Sequence, residues 1–431
     1  MAMQFDAPLK VPRPTPRVKP DESGVIQLTP EDILATADEV ELSPEDLEDD
    51  TETEVDVDLT GLESRERPVV VGAASEASME HPDRNEDSYY ATLDSSMVAD
   101  GMGSVPGGEV ASMIACDTMR RLKEGKAGDS TNKLISEAME AYGQQAGAEN
   151  LEKMKTFFGG ESRQSNKEDA EGSVVAMFRI MDSAITKWKN SDPEIMKKVE
   201  EKAKAKGATG EELQKDVKRN FDTLGTTASM MQFWTDAEGK KQATFGSIGD
   251  SRIYRLRGGE LKRMTRDDSF IQALGDAGII GLDEDPGRMV KLDDIRRVLK
   301  EHPEWQNQQK MKRNFQYLSI LASLKMDELP IGKIRNQMLQ NLGGADRIKK
   351  EFGLDLEPNI STEEVEEGDV YLNASDGLLD NKTDAEILEG LRSSSDPEAA
   401  AKSLVLKAKL KSGSDEPGAK KDDITTVVTA T

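Results

Sequence analysis

Four short apolar runs in this chain finish or begin on aspartate. Asp100 ends Ser-Ser-Met-Val-Ala-Asp and is followed by Gly101. Asp250 ends Ala-Thr-Phe-Gly-Ser-Ile-Gly-Asp, and Asp376 ends Val-Tyr-Leu-Asn-Ala-Ser-Asp before Gly377. Asp422 and Asp423 stand directly before Ile424. Such runs read as strands, and strand ends in antiparallel sheets can converge on one edge. Carboxylates gathered there repel one another unless cations neutralise them, and the hard ions Mg²⁺ and Mn²⁺ favour an all-oxygen environment. Gly101, lacking a Cβ, would let its own carbonyl approach an ion. Two histidines (His81, His302) and one cysteine (Cys116) leave no basis for a His-rich zinc site or an intrachain disulfide, so metal chemistry must rest on carboxylates. Taken singly, each Asp-Gly reads first as a turn.

The elements that must position these aspartates are legible as an α+β pattern. Strands are expected at Val69–Ala74, Ser96–Ala99, Thr226–Trp234, Gln242–Ile248, Arg252–Leu256, Val370–Ala374 and Ile424–Ala430, with hairpin turns at residues 236–239 and 257–260. Ala111, Ile114, Ala115, Met119 and Leu122 fall at helical spacing before a C-cap glycine at 125. Val174, Phe178, Met181, Ile185 and Trp188 mark a second amphipathic helix. Hairpins mixed with helices, without regular βαβ alternation, point to antiparallel sheets. Residues 189–220, charged and interrupted by Gly207 and Gly210, read as an inserted solvated helical hairpin. Residues 285–330 read as a second helical insertion, with Ile295, Leu299, Phe315, Leu318, Ile320 and Leu321 on its apolar side.

The formal charge is −26, from 83 acidic and 57 basic residues. The first 60 residues hold 17 acidic and 4 basic residues, a net −13, so a short N-terminal stretch supplies half of it. Residues 1–66 therefore read as a disordered acidic tail ahead of a folded domain over 67–431. Solvation is the first reading of the tail. Docking of a partner through Ile26, Leu28, Ile33 and Leu34 is the second. So acidic a chain is expected to bind neither nucleic acid nor an anionic membrane, and with no long apolar run it is expected to be cytoplasmic.

In order and in context, the motifs resemble one family. They are Arg84-Asn85-Glu86-Asp87-Ser88, Val98-Ala99-Asp100-Gly101-Met102-Gly103, Gly108-Glu109-Val110-Ala111-Ser112, Gly225-Thr226-Thr227-Ala228 and Gly249-Asp250-Ser251-Arg252-Ile253-Tyr254. Leu261 through Thr265 to Asp267, Gly368–Leu372 leading into Ser375-Asp376-Gly377-Leu378, and Asp422-Asp423-Ile424-Thr425 complete the series. From about residue 68 onward the chain resembles the metal-dependent serine/threonine protein phosphatases of type 2C, in their bacterial form. The resemblance implies two antiparallel sheets packed as a sandwich flanked by helices, with a dinuclear Mn²⁺ or Mg²⁺ centre at one edge. It implies that Asp100 bridges both ions, that Gly101 offers its carbonyl to one, and that Asp376 and Asp422 hold the other. Glu86 and Asp87 would contribute directly or through water. Asp250 matches the position of a weaker third ion in some members, and closing its turn is an equal reading.

A water shared by two ions about 4 Å apart would then attack a phosphomonoester in line, with an arginine helping to stabilise the phosphoryl charge. The substrate implied is a phosphoprotein carrying the product of a serine/threonine kinase. Cys116 has no nucleophilic part in such a reaction. The family's usual phosphate arginine lies four residues before the Glu, where this chain has Pro82, so Arg84 must serve from a shifted position or another arginine must. Met102 stands where many eukaryotic members have a histidine, and His81 is the only histidine near a motif. Ser104 replaces a usual glycine, Asp268 a usual histidine and Asp423 a usual asparagine. These departures leave one alternative, a catalytically silent binding or scaffold module, and the two insertions bear on another, a hydrolase of a small phosphorylated metabolite.

Overall fold

The computed structural model describes residues 10–12, 39–41, 69–102, 107–159, 164–281, 288–308, 311–334, 338–414 and 419–431. The chain divides into two units, Met1–Arg67 and Pro68–Thr431. In the first, Lys10–Pro12 pairs antiparallel with Glu39–Glu41. The rest of the expected tail, including the candidate docking residues Ile26 to Leu34, and Ser104 lie outside the described residues.

The second unit is a two-sheet sandwich. Strands β1 (Val70–Glu76), β2 (Asp87–Thr92), β3 (Ser95–Met102), β4 (Ala228–Thr235), β5 (Lys241–Ile248), β6 (Arg252–Arg257), β7 (Glu260–Arg263), β8 (Asn359–Glu364), β9 (Val370–Ala374) and β10 (Ile424–Ala430) supply it. One sheet runs β7-β6-β9-β10-β1. The other runs β8-β5-β4-β3-β2, with Gly225–Thr226 added beside β3, and every pairing is antiparallel. The expected α+β sandwich is therefore the fold. Between the sheets, Phe233 and Phe245 of one face pack on Tyr371 of the other, with ring centroids 5.6 and 5.8 Å apart. Beside them, Ser229 and Asn373 are joined across the gap through Ser229 Oγ and Asn373 Oδ1, and Asn373 Nδ2 donates to the Ser229 carbonyl at 2.9 Å. That polar pair fixes the offset of the sheets, since a slip would strand two buried amide groups.

Helices cover both outer faces. Helix α1 (Gly108–Glu124) presents Ala111, Ile114, Ala115, Met119 and Leu122 inward and ends on Gly125 in the left-handed conformation, as its spacing predicts. The helices Asp129–Ala146 and Ala148–Gly159 and the long α2 (Lys167–Ser191) complete that layer, with Val174, Phe178, Met181 and Ile185 buried. On the other sheet, Asp384–Arg392 and α3 (Pro397–Ser412) supply Ile387, Leu391, Leu404 and Val405 to a second core.

Both inserted segments are folded. The helices Pro193–Ala205 and Gly210–Thr223 form the expected hairpin, but the first is not polar on all sides. Ile195, Val199 and Ala203, spaced four apart, are buried in one stripe. The second segment holds helices Leu292–Glu301 and Lys312–Ala322. It also holds a strand pair that helical spacing did not suggest, Met289–Lys291 with Glu328–Pro330. Tyr317, Leu318, Leu321, Ile295 and Leu329 join Phe270 and Leu274 in a separate small core.

Candidate metal centre

Antiparallel register brings the first two carboxylates together. Asp87 opens β2 and stands directly opposite Asp100 near the end of β3, so the two side chains share a face of the sheet. The Asp100 backbone is held on both sides. Its N–H donates to Thr227 Oγ1 at 3.1 Å, and its carbonyl accepts from the Thr227 N–H and the Thr226 hydroxyl, both at 2.8 Å. Asp376 arrives from the other sheet, just past β9. Ser375 beside it donates its hydroxyl to Asp87 Oδ2 at 2.7 Å and accepts the Thr425 N–H at 3.0 Å. One serine thus ties the two sheets together at the place where their carboxylates meet.

The resulting cluster is electrostatically unsatisfied. Burial, reinforced by Asp87, Asp376, Asp422 and Asp250, raises the Asp100 carboxyl well above the usual carboxylate range. Burial raises Asp87 as well, against hydrogen bonds from Ser375 and Thr425 and with Asp423 and Asp376 adding to it. Burial and the neighbouring Asp376 and Asp267 do the same to Asp250. Among the described residues, Asp87 Oδ1 and Asp376 Oδ1 are buried without a hydrogen-bond partner, although buried carboxylate oxygens are almost always satisfied. Gly101 is packed so closely that a Cβ would lie 2.3 Å from the Gly108 carbonyl oxygen and 2.5 Å from that of Glu86. Orphaned oxygens, mutual repulsion and an all-oxygen donor set fit a hard divalent cation and nothing softer.

Glu86 takes a different direction. Successive strand residues point to opposite faces, and the charges felt most by Glu86 are Arg84, Glu109, His81 and Asp423. Burial pushes its carboxyl up to about 7, against the pull of Arg84, whose Nη2 is 3.0 Å from Glu86 Oε1. The backbone around it is stapled from the far end of the chain. Asp423 accepts the N–H groups of Ser78 and Glu86, each at 2.6 Å. His81 is a hydrogen-bonded loop residue whose Nδ1 sits 2.8 Å from the Arg84 carbonyl and 3.7 Å from Asp423.

Residues 81–273 match the protein phosphatase 2C family. That match takes in 193 of the chain's 431 residues. The type 2C match takes in Glu86, Asp87, Asp100, Gly101 and Asp250, while Asp376 and Asp422 lie beyond it and are delivered by the fold. The serine/threonine protein phosphatase PstP of Mycobacterium tuberculosis is 24% identical over 308 residues, 72% of this chain. The match spans 36% of that relative's own length. Among solved structures, the M. tuberculosis PstP/Ppp phosphatase aligns at 22% identity over 84% of this chain and 98% of its own, with a TM-score of 0.46. PppA of Pseudomonas aeruginosa aligns at 19% over 85% and 98%, with 0.45, and Stp1 of Staphylococcus aureus at 16% over 86% and 99%, with 0.47.

Within the second unit, three arrangements were not visible in the motifs. The first is Lys420, whose Nζ pairs with Asp376 and lies 3.1 Å from both Asp380 and Asp422. Burial opposes its charge, but Asp376, Asp380 and Asp422 outweigh that and hold its pKa far above the usual lysine range. The second is Asp268, fully buried, which accepts from Arg313 Nη1 (3.0 Å), Asn359 Nδ2 (3.1 Å), Gln340 Nε2 (3.2 Å) and the Gly249 N–H (3.1 Å). Arg313 belongs to the second inserted segment, so that segment is anchored to the residue preceding Asp250. The third is the first inserted hairpin, whose Ile195 and neighbouring Trp188 close around Gly107 at the start of α1. Only the doubled Lys420-Lys421 beside Asp422-Asp423 hinted at the first. No sequence signal pairs Arg313 with a residue 45 positions away.

Proposed function

We propose that this chain is a metal-dependent phosphatase acting on phosphoserine and phosphothreonine in proteins. The observation that carries the reading is the mutually repelling set Asp87, Asp100, Asp250 and Asp376, buried at Asp87 and half-buried at the other three, in which Asp87 Oδ1 and Asp376 Oδ1 have no hydrogen-bond partner among the described residues. A binding module would gain nothing from such a set. Asp87, Asp100, Asp376, Asp422 and the Gly101 carbonyl would hold the Mn²⁺ or Mg²⁺ ions, Glu86 would contribute directly or through water, and Asp250 would serve a weaker third ion. When bound, the ions supply Lewis acidity and a water made nucleophilic at neutral pH.

The chain's own residues supply the rest. The Thr226 and Thr227 hydroxyls fix the Asp100 backbone, and the Ser375 hydroxyl fixes the Asp87 carboxylate, which is the preorganisation that electrostatic catalysis needs. Arg84, with a third of its side chain exposed, is the cation offered to the phosphoryl oxygens, and its pairing with Glu86 aims it. Cys116 is excluded as a nucleophile, since burial pushes its thiol far up and it faces the core of α1. We infer that the substrate is a phosphoprotein made by a serine/threonine kinase, that the acidic N-terminal stretch solvates the protein, with docking of a partner as its second reading, and that the protein works in the cytoplasm. Among the described residues, no helix is long and apolar enough to cross a membrane.

The test is hydrolysis of a phosphothreonine peptide and of an aryl phosphate with Mn²⁺, with EDTA, and with Asp100→Asn or Asp376→Asn. Mn²⁺-dependent turnover of the peptide that both substitutions abolish supports the reading. An inert parent under every metal points to the scaffold alternative, and turnover of the aryl phosphate alone points to a small metabolite.

A further inference from the structure

Lys420 is delivered to the carboxylates with unusual care. Buried Asn381 clamps its backbone on both sides. Lys420 N–H donates to Asn381 Oδ1 at 3.0 Å, and Asn381 Nδ2 donates to the Lys420 carbonyl and to the Gly377 carbonyl, both at 2.8 Å. The link to Gly377 ties the lysine to the turn that carries Asp376. The next residue, Lys421, is sent the other way. Its side chain is half exposed, 4.0 Å from Glu80. The Lys420 ammonium therefore sits between Asp376 and Asp422, two of the carboxylates assigned to the ions. Asp380 lies 3.1 Å away, and its side chain, like that of Asp422, is about a third exposed.

We propose that Lys420 is a resident counter-cation that competes with the metal for Asp376 and Asp422 and withdraws onto Asp380 when the ion binds. The inference rests on the metal reading of those two aspartates. A monovalent ammonium and a divalent ion cannot share the same carboxylate oxygens at contact distance without strong repulsion. A lysine side chain, flexible over four carbons, can retreat where a backbone-held group cannot. Asp380 makes the retreat inexpensive, because the ammonium keeps one carboxylate while it releases two. The lysine thus sets a threshold. It stabilises the metal-free protein, and it raises the ion concentration needed to fill the site.

The experiment is Mn²⁺ binding to the full chain by calorimetry at low ionic strength, with thermal melts in EDTA and in Mn²⁺, on Lys420→Met, Lys420→Gln, Asp380→Asn and Lys421→Met. Removing the competing charge is expected to tighten Mn²⁺ binding about ten-fold in both Lys420 variants. It should also lower the melting temperature in EDTA but not in Mn²⁺. Asp380→Asn, which removes the alternative berth, is expected to weaken Mn²⁺ binding, and Lys421→Met to leave it unchanged. Mn²⁺ binding that is unchanged or weaker in the Lys420 variants, with the parent binding normally, overturns the proposal and assigns the ammonium to structure or to phosphate. Absence of Mn²⁺ binding in the parent overturns the metal reading itself.

Discussion

Replacing Arg313 by methionine separates the anchoring of an inserted segment from the chemistry beside it. Asp268 is fully buried and takes four donors, of which only Arg313 is charged. Removing one partner of a buried ion pair costs about 3–5 kcal/mol, because the remaining charge is stranded. Here three neutral donors stay on Asp268, which argues for the lower end. Arg313 also donates to Asn359 Oδ1 at 2.8 Å and to the Glu357 carbonyl at 2.6 Å, adding about 1 kcal/mol for each lost bond. The expected loss is about 5 kcal/mol, read by urea denaturation in EDTA at pH 7.5. Adding Asp268→Asn to Arg313→Met removes the stranded charge, so the double variant should be less impaired than the two single losses sum to, with a coupling of about 2 kcal/mol.

The pH dependence of that loss has a definite sign. Burial already raises the Asp268 carboxyl above its ordinary value, against the pull of Arg313, and losing Arg313 raises it further. Between the unfolded and folded pKa values the folded state holds the extra proton, so its stability rises as pH falls through that window. The Arg313→Met deficit should therefore be greatest at pH 7.5 and shrink on acidification towards pH 5. A deficit below about 1 kcal/mol, or one that grows on acidification, refutes the assignment of Asp268 and Arg313 as a buried pair.

Other consequences are equally measurable. With its carboxyl pushed up to about 7, Glu86 makes the metal-free protein lose stability as pH rises from about 4.5 to 7. Melts in EDTA should fall across that range, while Mn²⁺ affinity should rise with pH as the competing proton leaves. Asp423→Asn offers one acceptor oxygen where two backbone N–H groups now bind at 2.6 Å. It should cost about 2–3 kcal/mol in denaturant titration and loosen the loop from Ser78 to Glu86, seen as faster amide exchange there. Gly377→Ala would set a Cβ 1.9 Å from the Asp423 carbonyl oxygen. A loss of about 3 kcal/mol is expected, together with weaker Mn²⁺ binding, and a melting temperature equal to the parent's would show that the turn carrying Asp376 moves freely.

How much of this was readable beforehand follows from which forces are local. Val370–Ala374, Ile424–Ala430 and the helix closed by Gly125 are where their apolar spacing puts them, because the two strands are short runs buried on both faces and the helix buries one stripe and closes on its own glycine. Strand β2 (Asp87–Thr92) was not foreseen. Its sequence, Asp-Ser-Tyr-Tyr-Ala-Thr, has no clean alternation, and it is a strand because it pairs with β3. Strand β8 escaped for the same reason. Asn359–Glu364 is polar and only half-buried, held at the sheet edge by β5 on one side. The candidate site divides along the same line. That aspartates stand at strand ends is a local fact, legible from turn chemistry. That Asp87 faces Asp100 while Glu86 turns to Arg84 and His81 depends on pairing register, and one residue of slip would exchange the two carboxylates. Lys420 and Arg313 are further removed still. Each is chosen by an unpaired charge that exists only after both sheets and the inserted segment have assembled, so the demand for a cation at those places is a property of the fold rather than of any stretch of sequence.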